Sequence, residues 1–130
     1  MPRVASGLIV AAGLFNLAFA IFHLFFWRLF GWRQELPRLG MANRGIMQVL
    51  NLCLIYVFAV AACVLLLFPL EVATNDLGHF LLLAMAGFWL SRAIFQPMFF
   101  ALSHPLSIAL FGVFILGALI HGFAWWAVRV

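Results

Sequence analysis

The sequence predicts an all-α, polytopic membrane protein: an antiparallel bundle of four transmembrane helices. Three observations lead there. Of 130 residues, 68% are hydrophobic and 8% charged, with mean hydropathy +1.23, whereas a soluble domain carries roughly 25% charge. The apolar residues fall into four stretches, each long enough at about 20 residues to cross a bilayer. The links between them collect the charges and turn formers. Sixteen Phe, five Trp and three acids cannot clothe a water-soluble surface, and disorder requires the opposite composition. Residues 1–130 therefore read as one transmembrane domain with almost nothing outside the membrane.

Span one runs from about Val4 to Phe30. Its start, Met1-Pro2-Arg3 before an apolar run with Ala18-Phe19-Ala20 inside it, has the outline of a cleavable leader. The run continues through Ile21-Phe22-His23-Leu24-Phe25-Phe26-Trp27, long enough to stay in the bilayer. The first link, Gly31 to Gly45, holds Arg33, Glu35, Pro37, Arg38, Gly40, Asn43 and Arg44, which suit an interfacial loop and not hydrocarbon. Span two covers Ile46 to Leu70, the acidic link Glu71 to Asp76 follows, and span three covers Leu77 to Leu102. Ser103-His104-Pro105 turns the chain into span four, Pro105 to Val128. Links this short make consecutive spans antiparallel neighbours.

Basic residues flanking spans stay in the cytoplasm. Arg28, Arg33, Arg38 and Arg44 all flank the first link, against Arg3 and Arg129 at the tails, so both termini are expected outside. Cys53 and Cys63 stand ten residues apart on span two, about 15 Å along a helix, too far for a disulfide, and read as small buried hydrophobes. The sequence carries no P-loop, dinucleotide fingerprint, metal-type Cys/His spacing or haem-attachment motif. A net charge of +4 without a hydrophilic face reflects topology and not nucleic-acid binding.

Helical periodicity places Gly13, Asn16, Ala20, His23 and Trp27 on one face of span one. Arg44, Gln48, Asn51 and Ile55 share a face of span two, and Trp89, Arg92, Gln96 and Ser103 a face of span three. Polar side chains turned to lipid lose their hydrogen bonds, so these stripes should face one another. With the first link inside, they converge on the cytoplasmic half, where His104 also lies. Arg92 is the sharpest feature, because insertion scales put a central arginine at about +2.5–3.5 kcal/mol and no acid lies in any span. Its partners are then Gln48, Asn51 and backbone carbonyls reached by snorkelling, or a bound anion. The candidate ligand-binding set is Arg92, His23, Gln48, Asn51, Gln96, Arg44 and His104, with no metal, cofactor or catalytic residue expected.

The pairs His23/His104 and His79/His121 suggest axial ligands of two b-type haems, a reading that ranks last because His79 and His104 lie at helix ends. Trp27, Trp32, Trp125 and Trp126 fit interfacial belts, and Phe88, Phe95 and Phe99 read as core. Ala118 and Gly122 form a small-x-x-x-small pattern that allows tight packing or a homodimer through span four. Enzyme chemistry is disfavoured, since the spans supply no carboxylate pair, activated Cys or Ser-His-Asp set.

His23-Leu24-Phe25-Phe26-Trp27, the basic loop after it and Asn43-Arg44-Gly45-Ile46-Met47-Gln48, with Arg92-Ala93-Ile94-Phe95-Gln96 and then His104-Pro105, resemble a recurring layout. It is that of small uncharacterised bacterial four-helix integral membrane proteins. The resemblance implies a bacterial plasma-membrane location and brings no activity, ligand or catalytic residue. A small multidrug transporter would need a glutamate where span one has Asn16, and the glycine-rich and Phe-box patterns of dual-topology fluoride channels are missing. The expected function is binding, with transport as an extension, of an anionic amphiphile or small anion from the inner leaflet. The alternative is an accessory subunit of a larger membrane complex.

Overall fold

The computed structural model describes residues 2–130; Met1, the start of the leader-like segment, lies outside them. The described chain is helical, in the order α1 (Pro2–Leu24), α2 (Phe26–Leu29), α3 (Trp32–Glu35), a 3-10 turn (Leu36–Arg38), α4 (Met41–Leu67), α5 (Pro69–Thr74), α6 (Asp76–Phe99) and α7 (Pro105–Ala127). Four of these, α1, α4, α6 and α7, are long and apolar enough to cross a membrane.

The breaks lie where backbone chemistry puts them, not where hydropathy changes. α1 stops at Leu24, six residues before its apolar run ends: Phe25 turns to φ −90°, ψ 2°, and its N–H bonds the Phe22 carbonyl three residues back (3.1 Å). Gly31 takes φ +60°, a conformation open to glycine at little steric cost, and its carbonyl accepts from the N–H groups of Gln34 and Glu35. The expected first loop is thus largely helical. It folds back so that Trp32 packs edge-on against Phe26 and Trp27, burying Trp32 and Leu36.

α4 starts five residues earlier than predicted, after Gly40, and ends at Leu67, because Phe68 precedes Pro69 and the residue before proline is driven out of helical geometry. The acidic link is mostly α5. Asn75 Oδ1 accepts from the Gly78 N–H (2.8 Å), capping α6, with Asp76 in the first turn where the helix dipole favours an acid. α6 reaches only Phe99, because Pro97 offers no N–H to the Ala93 carbonyl. Pro105 opens α7 while His104 Nδ1 accepts the Leu106 N–H (3.2 Å).

α1 packs along α4 and α7, and α6 packs along α7 and α5. α4 and α6 meet through rings: Phe58 lies 5.7 Å from Phe88 and 5.2 Å from Trp89. One core layer is built on Phe19, Phe58, Trp89 and Phe114, a second on Ile9, Leu65, Leu82 and Ala124. Glycine brings the backbones together at Gly78, where an added Cβ would collide with the Val72 backbone, and at Gly117, where it would meet the Phe15 ring at 2.6 Å.

Some expected burial is not observed. Cys53 and Cys63 are exposed, as are Phe95 and Phe99; they occupy outward faces, where an apolar side chain needs no protein partner if the surroundings are lipid. Gly122 has nothing within 4 Å of an added Cβ. With Ala118 it lines an open groove instead of a close helix contact within the chain.

Candidate functional site

The polar cluster is built at the end of the bundle that carries Gly31, Gly40 and His104. Its floor is aromatic. Trp89, 1% exposed, stacks on Phe58 (12° between planes) and Phe114 (20°) and receives the edge of Phe15, while Phe19 packs 4.5 Å from it. Rings of this size, buried together, form the stiffest part of a helical core.

Four of the seven candidate residues make contacts to another helix or to that floor. His23, on the last turn of α1, is buried and its Nδ1–H donates to the Phe19 carbonyl (2.9 Å); its ring stacks on Phe26 at 4.3 Å. Asn51 on α4 is buried, and its Nδ2 donates to the His23 carbonyl (3.2 Å). Gln96 on α6 is 2% exposed and donates through Nε2 to Ser107 Oγ on α7 (2.9 Å). Arg92, one turn before Gln96, is half-buried with its guanidinium 4.5 Å from the Phe114 ring centroid.

The other three do not join them. Gln48 Nε2 donates to the Arg44 carbonyl of its own helix (3.0 Å) and Arg44 is exposed, because the first turns of α4 extend past their neighbours. His104 is exposed and serves as the cap of α7. Ser103 lies beyond α6 and is exposed. Arg92 itself makes no hydrogen bond to His23, Gln48, Asn51 or Gln96. Among the described residues the ion pair present is the exposed Arg38–Glu35 contact at the surface, so no acid neutralises Arg92. A cation over a ring is worth about 0.5–2 kcal/mol, less than the roughly 2.5–3.5 kcal/mol that a central arginine costs on insertion scales.

Sequence periodicity missed a second polar contact. Asn16 on α1 and His121 on α7 are fully buried. Asn16 Nδ2 donates to the Ala12 carbonyl (2.8 Å) and lies 2.8 Å from His121 Nε2, while His121 Nδ1 lies 2.7 Å from the Gly117 carbonyl. A carbonyl only accepts, so the proton is on Nδ1 and Nε2 accepts from Asn16. Both nitrogens are thereby used, which leaves no lone pair for a haem iron. His79 Nε2 lies 2.9 Å from the Ala73 carbonyl and carries its proton there for the same reason. No group of three or more His, Cys, Asp or Glu able to hold a metal occurs among the described residues. Ser107 and Phe114, the α7 partners of Gln96 and Arg92, were equally invisible to a reading made one helix at a time.

The chain matches no protein-family model, no curated protein and no solved structure. The class of protein is therefore defined by the fold and the cluster alone: a four-helix, strongly apolar chain with a half-buried, unneutralised arginine on an aromatic floor.

Proposed function

We propose that the four long helices cross a bacterial plasma membrane as an antiparallel bundle, both termini outside, and that Arg92 binds the anionic headgroup of an amphiphile entering from the inner leaflet. Transport of the bound molecule is the extension of this reading. Outward-facing Leu14, Tyr56, Leu77, Phe80 and Phe99 are each more than half exposed, a surface suited to lipid and not to water. The four arginines around Gly31 to Gly45 favour the cytoplasm for that end.

The observation that carries the binding reading is Arg92: a guanidinium in a candidate span, lying on Phe114, with its N–H donors unclaimed by any described residue. Guanidinium groups pair with phosphate and carboxylate through two parallel hydrogen bonds, and a headgroup anion would supply the attraction that the ring does not. Native mass spectrometry of the protein purified in mild detergent tests this. The wild type should retain anionic phospholipid and Arg92→Gln should lose it. Equal retention by both would refute binding at Arg92.

A second reading, an accessory subunit or homodimer, is favoured by one observation. An open apolar groove of ≈ 460 Å³ lies along α7 and α6, lined by Leu83, Ala118, Leu119, Gly122, Phe123, Trp125 and Trp126, at the opposite end from the Arg92 cluster. A partner helix seated there would appear in the same spectra as a protein mass.

A further inference from the structure

At the same end of the bundle as the unneutralised cation, three hydrogen-bond acceptors among the candidate residues lack donors. Asn51 and Gln96 each spend their amide nitrogen on a neighbour, the His23 carbonyl and Ser107 Oγ, so the atom left over in each is the oxygen. Asn51 Oδ1 and Gln96 Oε1 are both buried with no partner, as are Asn16 Oδ1 and the Trp89 Nε1–H of the aromatic floor. His23 spends its Nδ1 proton on the Phe19 carbonyl, so in the neutral ring Nε2 is a lone pair, and no described residue donates to it. Arg92 has donors to give, yet its guanidinium rests on Phe114 and not on Gln96 one turn away.

A bare anion would answer Arg92 and leave the acceptors as they are, and buried acceptors without donors are expensive to keep. The complement of Arg92 and the three acceptors is a molecule that carries both an anionic group and N–H or O–H donors. Resting on the proposed binding at Arg92, we infer that the ligand headgroup is a phosphodiester whose substituent donates hydrogen bonds, an ethanolamine ammonium or glycerol hydroxyls. The phosphate pairs with Arg92, and the donors reach Gln96 Oε1, Asn51 Oδ1 and His23 Nε2. Choline is rejected because its quaternary nitrogen has no hydrogen to give.

Two lipid pairs isolate the donors at constant charge: phosphatidylethanolamine against phosphatidylcholine, and phosphatidylglycerol against phosphatidylmethanol, all with the same acyl chains. Each pair is offered in equimolar mixture to the full chain in mild detergent and read by native mass spectrometry. The donor-bearing lipid should be preferred by about tenfold in both pairs, the factor that roughly one to two hydrogen bonds supply. Gln96→Leu and Asn51→Leu should each shrink the preference, because each removes one of the acceptors that the donors reach.

Wild-type protein that binds both members of each pair alike, with binding lost in Arg92→Gln, would overturn the donor inference and leave the Arg92 reading standing. Binding unchanged in Arg92→Gln would overturn both. The comparison within the wild type needs no variant, so a leucine substitution that fails to fold does not shield the inference. The soluble diesters methyl phosphoethanolamine and methyl phosphocholine form the last arm: the same preference there supports the recognition chemistry and makes a free phosphodiester its source.

Discussion

At the scale of single residues, Asn16 and His121 make a circuit that runs from the Ala12 carbonyl through both side chains to the Gly117 carbonyl. Such a circuit fixes the rotation and height of α1 against α7, since each side chain is already tied to its own helix and meets the other across the gap. Asn16→Ala leaves the His121 lone pair buried and unpaired, and should lower stability by about 1–3 kcal/mol. Replacing both together, Asn16→Val with His121→Leu, should recover much of that loss, as thermal unfolding in detergent would show; a double variant no more stable than Asn16→Ala would mean the pair contributes by packing alone. Of the candidate site, His23, Asn51, Arg92 and Gln96 were legible, because each is polar on an apolar helix and recurs at helical spacing. Arg44 and Gln48 satisfy the same spacing, yet α4 begins at Met41, Arg44 is exposed and Gln48 bonds back to its own helix. The Asn16–His121 contact depends on how two helices meet, which no single-helix pattern encodes.

At the scale of elements, the existence of four long helices was plain from hydropathy, while their ends were not. Hydropathy reports what surrounds a residue; helix ends are set by Phe25, Gly31, Gly40, Phe68 before Pro69, and Asn75. The short helix α2 was read as the end of span one, and α3 and most of α5 as loop, because their charged and turn-forming residues were weighed as a composition, not as capping signals. The junction of α5 with α6 gives a sharp test. At Gly78 an added methyl would meet the Val72 backbone, which cannot step aside as a side chain can. Gly78→Ala should therefore destabilise by about 1–3 kcal/mol. Gly87, with nothing within 4 Å, should accept alanine with no loss and a gain of up to roughly 1 kcal/mol from helix propensity. Equal melting temperatures for the two variants would show that α5 does not press on α6 in solution.

At the scale of the whole molecule, orientation and ligand are linked, because the cluster at the His23 end can meet inner-leaflet lipid only if that end is cytoplasmic. Exposed Cys53 and Cys63 must first be replaced by alanine. Gln34→Cys should then be shielded from an impermeant thiol reagent added outside cells, and Asn75→Cys labelled by it; the reverse pattern would invert the topology. Thermal unfolding of wild type and Arg92→Gln in detergent, with and without phosphatidylglycerol, tests anion binding most directly. If Arg92 holds the anion, lipid stabilises the wild type alone, and the variant in detergent is at least as stable as the wild type because a costly charge is gone. A variant that is destabilised in detergent yet still gains the full wild-type increment from phosphatidylglycerol would contradict it and leave Arg92 as a packing residue.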